Sequence, residues 1–276
     1  MVADSGSSKT DWRIVHPSGT VESRTSAGLN PMVISADHLC ATVENCFEDF
    51  PEREQVHHVY FYGAGCSTEM RCAQVRTALQ PTFPHAQLHV EHDLYGAARA
   101  VCQGNDGLVC ILGTGSSSCL YVADKIEDRI TALGYLAGDE GSGNHIGRAL
   151  LQAYFYREMP DDLSKAFEDF TDPEPFRQLL YNSDRPNFEL ARLSRFAGEQ
   201  RHHPFVKNLV QSCFISFSER HLLKYKTDLR TVYAVGSIAF HFRDWLEDSF
   251  QTLGLTLGSV IDKPIDPLVT FHARTH

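Results

Sequence analysis

At 276 residues the chain sits near the length, about 250 to 300 residues, where one hydrophobic core gives way to two. With 42% hydrophobic and 22% charged residues it has the composition of a soluble globular protein, and no run approaches the roughly 20 apolar residues of a membrane span. A formal charge of -10 argues against a nucleic-acid binder, which needs a basic face to displace counterions, so any anionic ligand has to be held locally.

In chain order, the first notable stretch is DSGSSKTDW, Asp4 to Trp12, and it opens too early to leave room for a secretory leader; the cytoplasm is the expected location. DWRIV (11–15) and GTVESRTS (19–26), joined by His16-Pro17-Ser18-Gly19, read as a hairpin, so the opening is strand, glycine turn, strand, turn, strand. SADHLCATVENCFEDF places Leu39, Val43, Cys46, Phe47 and Phe50 on one face behind a Ser35 cap, the pattern of an amphipathic helix. VHHVYFYGAG is a strand ending in glycines, TEMRCAQVRTALQ a helix, AQLHVEHD a strand and LYGAARAVC a helix. At Gly107 the pattern restarts with the strand GLVCILG, a second glycine turn and SSCLYVAD, then helices over HIGRALLQAYFYRE and FVKNLVQSCFISFSERHLLKYK. TVYAVG is a further strand, followed at once by a single helix, AFHFRDWLEDSFQTL. The stretch from Pro160 to Pro186, rich in Asp, Pro and Phe, reads as the least regular part, an insertion or a lid. Strands alternating with helices in two halves predict two α/β domains, 1–106 and 107–276. Gly6-Ser7-Ser8 returns as Gly115-Ser116-Ser117 at a distance far beyond any solenoid period, which points to a duplicated fold. Eight cysteines are scattered without a CxxC pair or zinc spacing, and most of them read as small buried apolar residues.

A turn rich in glycine and serine bends so that backbone N–H groups converge, and the hydroxyls add donors, which makes a site for phosphate oxygens. Gly6 and Gly115 suit such turns. Either turn alone is equally a plain strand connection; two equivalent ones suggest a clamp on a polyphosphate from both sides. Lys9 either adds positive charge or is a solvated surface lysine. Asp4, at the end of the first strand, is placed to bind a hydrated Mg²⁺ ion, which keeps several waters and takes one or two carboxylates. Neither GxxxxGK[ST] nor GxGxxG occurs, which argues against P-loop and Rossmann binding. Asp93, where a strand passes into a helix, reads either as a general base at a strand end or as a helix N-cap. Asp139 and Glu140, flanked by three glycines in AGDEGSG, read either as ligand-facing acids or as a solvated acidic turn.

DSGSSKTDW, HDLYGAARA (92–100), LGTGSSSCL (112–120), GYLAGDEGSG (134–143) and VGSIAFHF (235–242) fall in the order seen in the BadF/BadG/BcrA/BcrD-type ATPases. Within that group the chain most resembles the N-acetylglucosamine kinases and their bacterial relatives, nearly end to end. The resemblance implies the α/β fold of the actin, sugar kinase and heat-shock chaperone ATPase superfamily: two ribonuclease H-like domains around a nucleotide cleft. It implies that Asp93 is the catalytic base and contacts the sugar, with Asn30, Gly134, Tyr135 and Asp139 as further sugar ligands. It assigns ATP to Gly6, Ser7, Ser8, Lys9, Thr114, Gly115 and Ser116 at the phosphates and to Gly236, Ser237 and Phe240 at the adenosine. A homodimer is the family habit. Three positions depart from the family: only Met1, Val2 and Ala3 precede Asp4, where relatives have a fuller first strand; His202-His203 replaces a Gly-Asp pair; and KPIDPLVTFH, with Pro267, replaces the usual C-terminal pattern, so the tail belongs either to the second domain or back on the first.

The leading expectation is an ATP-dependent sugar kinase acting on N-acetylglucosamine or a related amino sugar, with Mg²⁺ as cofactor and neither nucleic acid nor membrane as partner. One alternative is an ATP-driven activator of a dehydratase or reductase, whose relatives share an iron-sulfur cluster between subunits; Cys110 and Cys119 flank the second turn. An actin-type ATP-binding protein without an acceptor is the other.

Overall fold

Each half of the sequence folds around its own five-stranded mixed sheet. The structure is a computed structural model that describes residues 1–6 and 8–273. The chain divides into two compact units, Met1–Gly104 with Lys263–His276, and Asn105–Asp262.

In the first unit β1 (Val2–Ser5) is central: it runs antiparallel to β2 (Lys9–Val15), which pairs antiparallel with β3 (Val21–Ala27), and parallel to β4 (His58–Gly63), which pairs parallel with β5 (Gln87–His92). The order is β3-β2-β1-β4-β5. Helices α1 (Ala36–Cys46), α2 (Glu69–Leu79) and α3 (Asp93–Cys102) follow β3, β4 and β5. Ser35 caps α1 as its sequence predicts, its side chain accepting from His38 N. Leu39, Val43, Phe47 and Phe50 bury against Trp12, Phe61 and Phe83, with Trp12 edge-on to Phe47 at 5.1 Å. β1 has only four residues, but it is bonded on both sides, which suits the hydrophobic Val2 and Ala3.

The second unit repeats the plan. β6 (Gly107–Leu112) pairs antiparallel with β7 (Ser116–Val122), which pairs antiparallel with β8 (Lys125–Ile130); on its other side lie, in parallel, β9 (Thr231–Val235) and then β10 (Thr256–Ile261). The central strand GLVCIL is apolar throughout because both of its faces are covered. The helices are α4 (Gly134–Ala137), α5 (Gly143–Phe155), α6 (Asp161–Phe170), α7 (Pro173–Asn182), α8 (Pro186–Arg192), α9 (Ser194–Glu199), α10 (Pro204–Arg220), α11 (Ser237–His241) and α12 (Arg243–Thr252).

The structure corrects the sequence reading in three places. Pro160 to Pro186 is helical rather than irregular: α6 and α7 bury Leu163, Phe167 and Phe176, and Pro173 and Pro186 stand at helix starts, where a missing N–H costs nothing. The single helix expected after β9 is broken at Phe242, whose ring buries against Trp245 at 5.3 Å. The long helix expected to run on through Lys226 ends at Arg220 and gives way to a 3-10 turn over Leu222–Lys224. The tail forms α13 (Ile265–Ala273) in the first unit, where Ile265 and Leu268 are buried, His272 stacks on Tyr60 at 3.7 Å and Asp266 pairs with Arg13 at 2.7 Å. Pro267 falls in its first turn, which tolerates proline.

Candidate functional site

In each sheet the parallel strands end side by side, and the candidate residues of that unit collect beyond those ends. In the first unit Ser5 pairs with Gly63 and Gly63 with His92, so the Gly6 turn, the loop after β4 and Asp93 share one edge. Open α/β sheets bind ligands at such carboxyl ends. Gly6 N donates to Lys9 O at 2.9 Å and closes the turn; Ser7 lies outside the described residues, and Gly6 and Ser8 are exposed. Beneath it Ser5 Oγ lies 2.8 Å from Thr10 Oγ1 and accepts from Leu29 N at 3.0 Å, which fixes the turn to the segment carrying Asn30. Lys9 pairs with Asp11 at 2.6 Å, so its charge is shared with a carboxylate of the same strand.

Asp4 stands opposite Asp11 across β1 and β2. Burial pushes its carboxyl up to about 7, Asp93 and Asp11 add to the effect, and Lys263 opposes it. A desolvated carboxylate beside two others is a place that a divalent cation would complete. The donor set suits magnesium, which would take Asp4 directly or through water and fill its shell with waters and phosphate oxygens. Among the described residues no group of three or more His, Cys, Asp or Glu forms an all-protein metal cage.

Asp93 is the first residue of α3, and its reading as an N-cap is corrected: the cap is His92, whose Nδ1 accepts from Leu94 N at 3.1 Å. Asp93 Oδ1 lies 2.7 Å from the same Nδ1, an ion pair only when His92 is protonated there and no longer accepts from Leu94 N; with the cap in place Oδ1 is a buried acceptor without a donor among the described residues. Asn30 is buried, its Oδ1 accepts from Met32 N at 2.9 Å, and it packs on Gly65, where φ is +83° and a Cβ would overlap the amide. Its side chain therefore braces the loop that carries it.

In the second unit Leu112 pairs with Ser116, Ile111 with Val235 and Val235 with Ile261, which gathers the second turn and Gly236 at one edge. Gly113 N donates to Gly115 O at 3.0 Å within the turn. The start of α5 abuts it, with Gly143 N donating to Gly113 O at 2.8 Å and Asn144 N to Thr114 O at 3.2 Å. Asp139 is 9% exposed and accepts from Ser116 N at 3.2 Å and Asn144 Nδ2 at 2.9 Å. Burial raises its pKa, while the bonds from Asn144 and Ser116 hold it down. Glu140 pairs with His221 at 3.4 Å and Arg220 at 3.5 Å, so neither acid belongs to a solvated turn. Arg148 tethers α4 by donating to Tyr135 O at 2.8 Å, which sets the position of Gly134 and Tyr135.

Gly236 has φ +115°, and a Cβ there would overlap the carbonyl of Leu112. Glycine is required because the chain leaving β9 passes directly over the end of β6. On the far side of it α11 presents exposed Ser237 and Phe240, the latter 49% exposed. Sequence reasoning missed Ser5, Thr10, Arg148 and Asn144; the one signal for Asn144 is a polar amide just inside the apolar helix that follows GDEGSG.

Solved structures resemble this chain over its whole length. A Porphyromonas gingivalis protein provisionally assigned as an N-acetylglucosamine kinase is 35% identical, with 100% of this chain and 99% of that one covered and a TM-score of 0.92. A Chromobacterium violaceum protein with the same provisional assignment is 20% identical over 98% of this chain and 96% of that one, TM-score 0.74. A ROK family glucokinase from Streptomyces griseus, solved with glucose and AMPPNP, is 15% identical over 94% and 92%, TM-score 0.52, and shares the fold. No protein-family model and no curated protein matches the chain.

Proposed function

The chain belongs to the N-acetylglucosamine-kinase-like family of ATP-dependent carbohydrate kinases, and we propose on that premise that it transfers the γ-phosphoryl group of ATP to a hydroxyl of N-acetylglucosamine. The end-to-end match to the Porphyromonas gingivalis protein carries this reading. Two Gly-Ser turns at the carboxyl ends of two like sheets support it, because turns of that composition suit phosphate oxygens.

In this reading the nucleotide lies between two ribonuclease H-like domains divided near residue 105. Ser8 and its neighbours in the first turn, with Thr114, Gly115 and Ser116 in the second, hold the phosphates. The adenosine lies along Gly236, Ser237 and Phe240. Asn30, Gly134, Tyr135 and Asp139 face the sugar, and Asp93 is the base. As the sugar oxygen attacks the γ-phosphorus and the bond to the β-bridging oxygen breaks, the hydroxyl proton passes to Asp93. Asp4 would hold a magnesium ion, which would supply neutralisation of phosphate charge. A cytoplasmic homodimer without nucleic-acid or membrane partners completes the proposal; among the described residues no helix is long and apolar enough to cross a membrane.

The activator alternative has no support at its cysteines. Cys110 and Cys119 are fully buried within paired strands β6 and β7, and burial pushes the Cys110 thiol up, away from the thiolate a cluster ligand must be. The decisive experiment is a coupled ADP-release assay with ATP and Mg²⁺ over hexoses and amino sugars. N-acetylglucosamine should give the highest kcat/KM; ADP release independent of every sugar would discard the proposal.

A further inference from the structure

The second turn and the acid of GDEGSG are joined by one side chain that no motif singles out. Asn144, the second residue of α5, is 0% exposed, and its Nδ2 donates to Thr114 O at 2.7 Å and to Asp139 Oδ2 at 2.9 Å. An amide nitrogen has two N–H donors, so both bonds form at once. Its backbone N–H donates to the same Thr114 carbonyl. Asp139 is held from the other side by Ser116 N, and a Cβ on Gly115 would fall 2.9 Å from Oδ2, so the carboxylate lies against the turn. Asp139 itself sits in the left-handed region at φ 58°, a conformation that persists in a non-glycine residue when its surroundings over-determine it. Asn144 Oδ1 and Ser116 Oγ are buried without a partner among the described residues.

We infer that Asn144 is a positioning residue that couples the sugar wall to the phosphate turn, tying Asp139 and Thr114 into one unit so that occupancy of either ligand site strengthens the other. The identity of the two ligands rests on the kinase reading above; the tie itself rests on the hydrogen bonds. A sugar hydroxyl that donates to Asp139 engages a carboxylate already shared with Ser116 N and Asn144. Holding that carboxylate still for the sugar therefore also holds residues 114–116 still for phosphate. The ligand that binds first bears the ordering cost and the second does not, which is positive coupling, and it must be reciprocal.

The charges facing Asp139 set the sign of its pH response. Glu140 pushes its carboxyl further up, while Arg148 of α5 helps to hold it down; Glu140 is itself engaged by Arg220 and His221 at the end of α10, and His145 lies on the same turn of α5. Removing the Asn144 donor raises the Asp139 pKa, so a function that needs the carboxylate is lost at a higher pH.

The test compares the wild-type chain with Asn144→Ala and with Asn144→Ser, which keeps a shorter donor. A non-hydrolysable ATP analogue with Mg²⁺ is titrated with and without saturating N-acetylglucosamine, and amide exchange at residues 113–117 is followed without ligand. Sugar should tighten the analogue by about fivefold or more in the wild type. That factor should fall to near one in N144A and recover partly in N144S, with the acid limb of kcat/KM moved to higher pH. The Ser116 amide should lose its protection in N144A. In a wild type that shows sugar-dependent ADP release, a factor of one overturns the inference, as does a folded N144A that keeps the wild-type factor or a protected Ser116 amide. If neither variant folds, the wild type decides: relative to its intrinsic exchange rate, the Ser116 amide must lose protection as Asp139 is protonated while β6 stays protected, and persistent protection refutes the tie. A wild type without sugar-dependent ADP release removes the kinase reading alone, because the exchange measurement needs no ligand.

Discussion

His145 makes the acid stability of the second unit a measurable quantity. The imidazole lies in the first turn of α5, and its Nδ1 accepts from Gly141 N at 3.0 Å, which requires a neutral ring. Burial lowers its pKa to about 4, and Arg148 pushes in the same direction. In the unfolded chain the ring titrates near 6.5, so as pH falls below that value the unfolded state takes up a proton that the folded state refuses. The stabilisation is fully present above pH 6.5 and is lost progressively on the way to pH 4. Between pH 7.5 and pH 5 the loss comes to about 2 kcal/mol, which at a urea slope of about 2 kcal/mol/M moves the midpoint by about 1 M. His145→Gln removes the titration, and any fixed cost of the altered contact to Gly141 cancels between the two pH values. Trp245, in the second unit, reports its unfolding in a Trp12→Phe background. Relative to wild type, H145Q should gain about 2 kcal/mol on going from pH 7.5 to pH 5. An identical difference at both pH values would refute the account.

Asp93→Asn should lower turnover by roughly 10² to 10⁴ with nucleotide affinity retained, because only the proton acceptor is removed; phosphorylation at the wild-type rate would end its role as base. Asp4 predicts the opposite pH response to His145: a folded pKa of about 7 means that stability falls as pH rises from 3.8 to 7, so Asp4→Asn should stabilise the first unit at pH 8 in EDTA by up to about 4 kcal/mol. The same variant should lose Mg²⁺-dependent activity, and equal stability at pH 5 and pH 8 relative to wild type would contradict the burial argument. Gly236→Ala forces a Cβ into Leu112 O at φ +115°; a cost of about 3 kcal/mol or more in urea unfolding, or displacement of the second turn, is expected, and wild-type stability with wild-type nucleotide affinity would show that the close approach is not required.

The alternation of strands and helices, the Ser35 cap and the paired turns were legible in the chain because each depends on neighbours within a few residues: hydrophobic period, a short polar cap, a glycine between apolar runs. The charged edge strand β8, KIEDRI, and the glycine-interrupted β10 carry no such local signal. They are strands only because β7 and β9 offer them bonding edges. The helices between Pro160 and Pro186 were hidden because their prolines read as breakers until burial of Leu163, Phe167 and Phe176 showed that they stand at helix starts. The break at Phe242 depends on a ring finding Trp245.

At the candidate site the same division holds. Motif residues such as Asp93, Asp139 and the two turns stand out in the sequence because chemistry demands particular residue types at particular spacings. Their partners do not: the His92 cap leaves Asp93 free of capping, Lys9 is bound to Asp11, Gly236 must be glycine because of Leu112, and Asn144 ties Thr114 to Asp139. Two of those relations, Gly236 against Leu112 and Asn144 with Thr114, join positions distant along the chain. Residue type and local period are written in the order of the amino acids, whereas which donor meets which acceptor is decided only when packing brings distant segments together and burial makes an unmatched polar group costly.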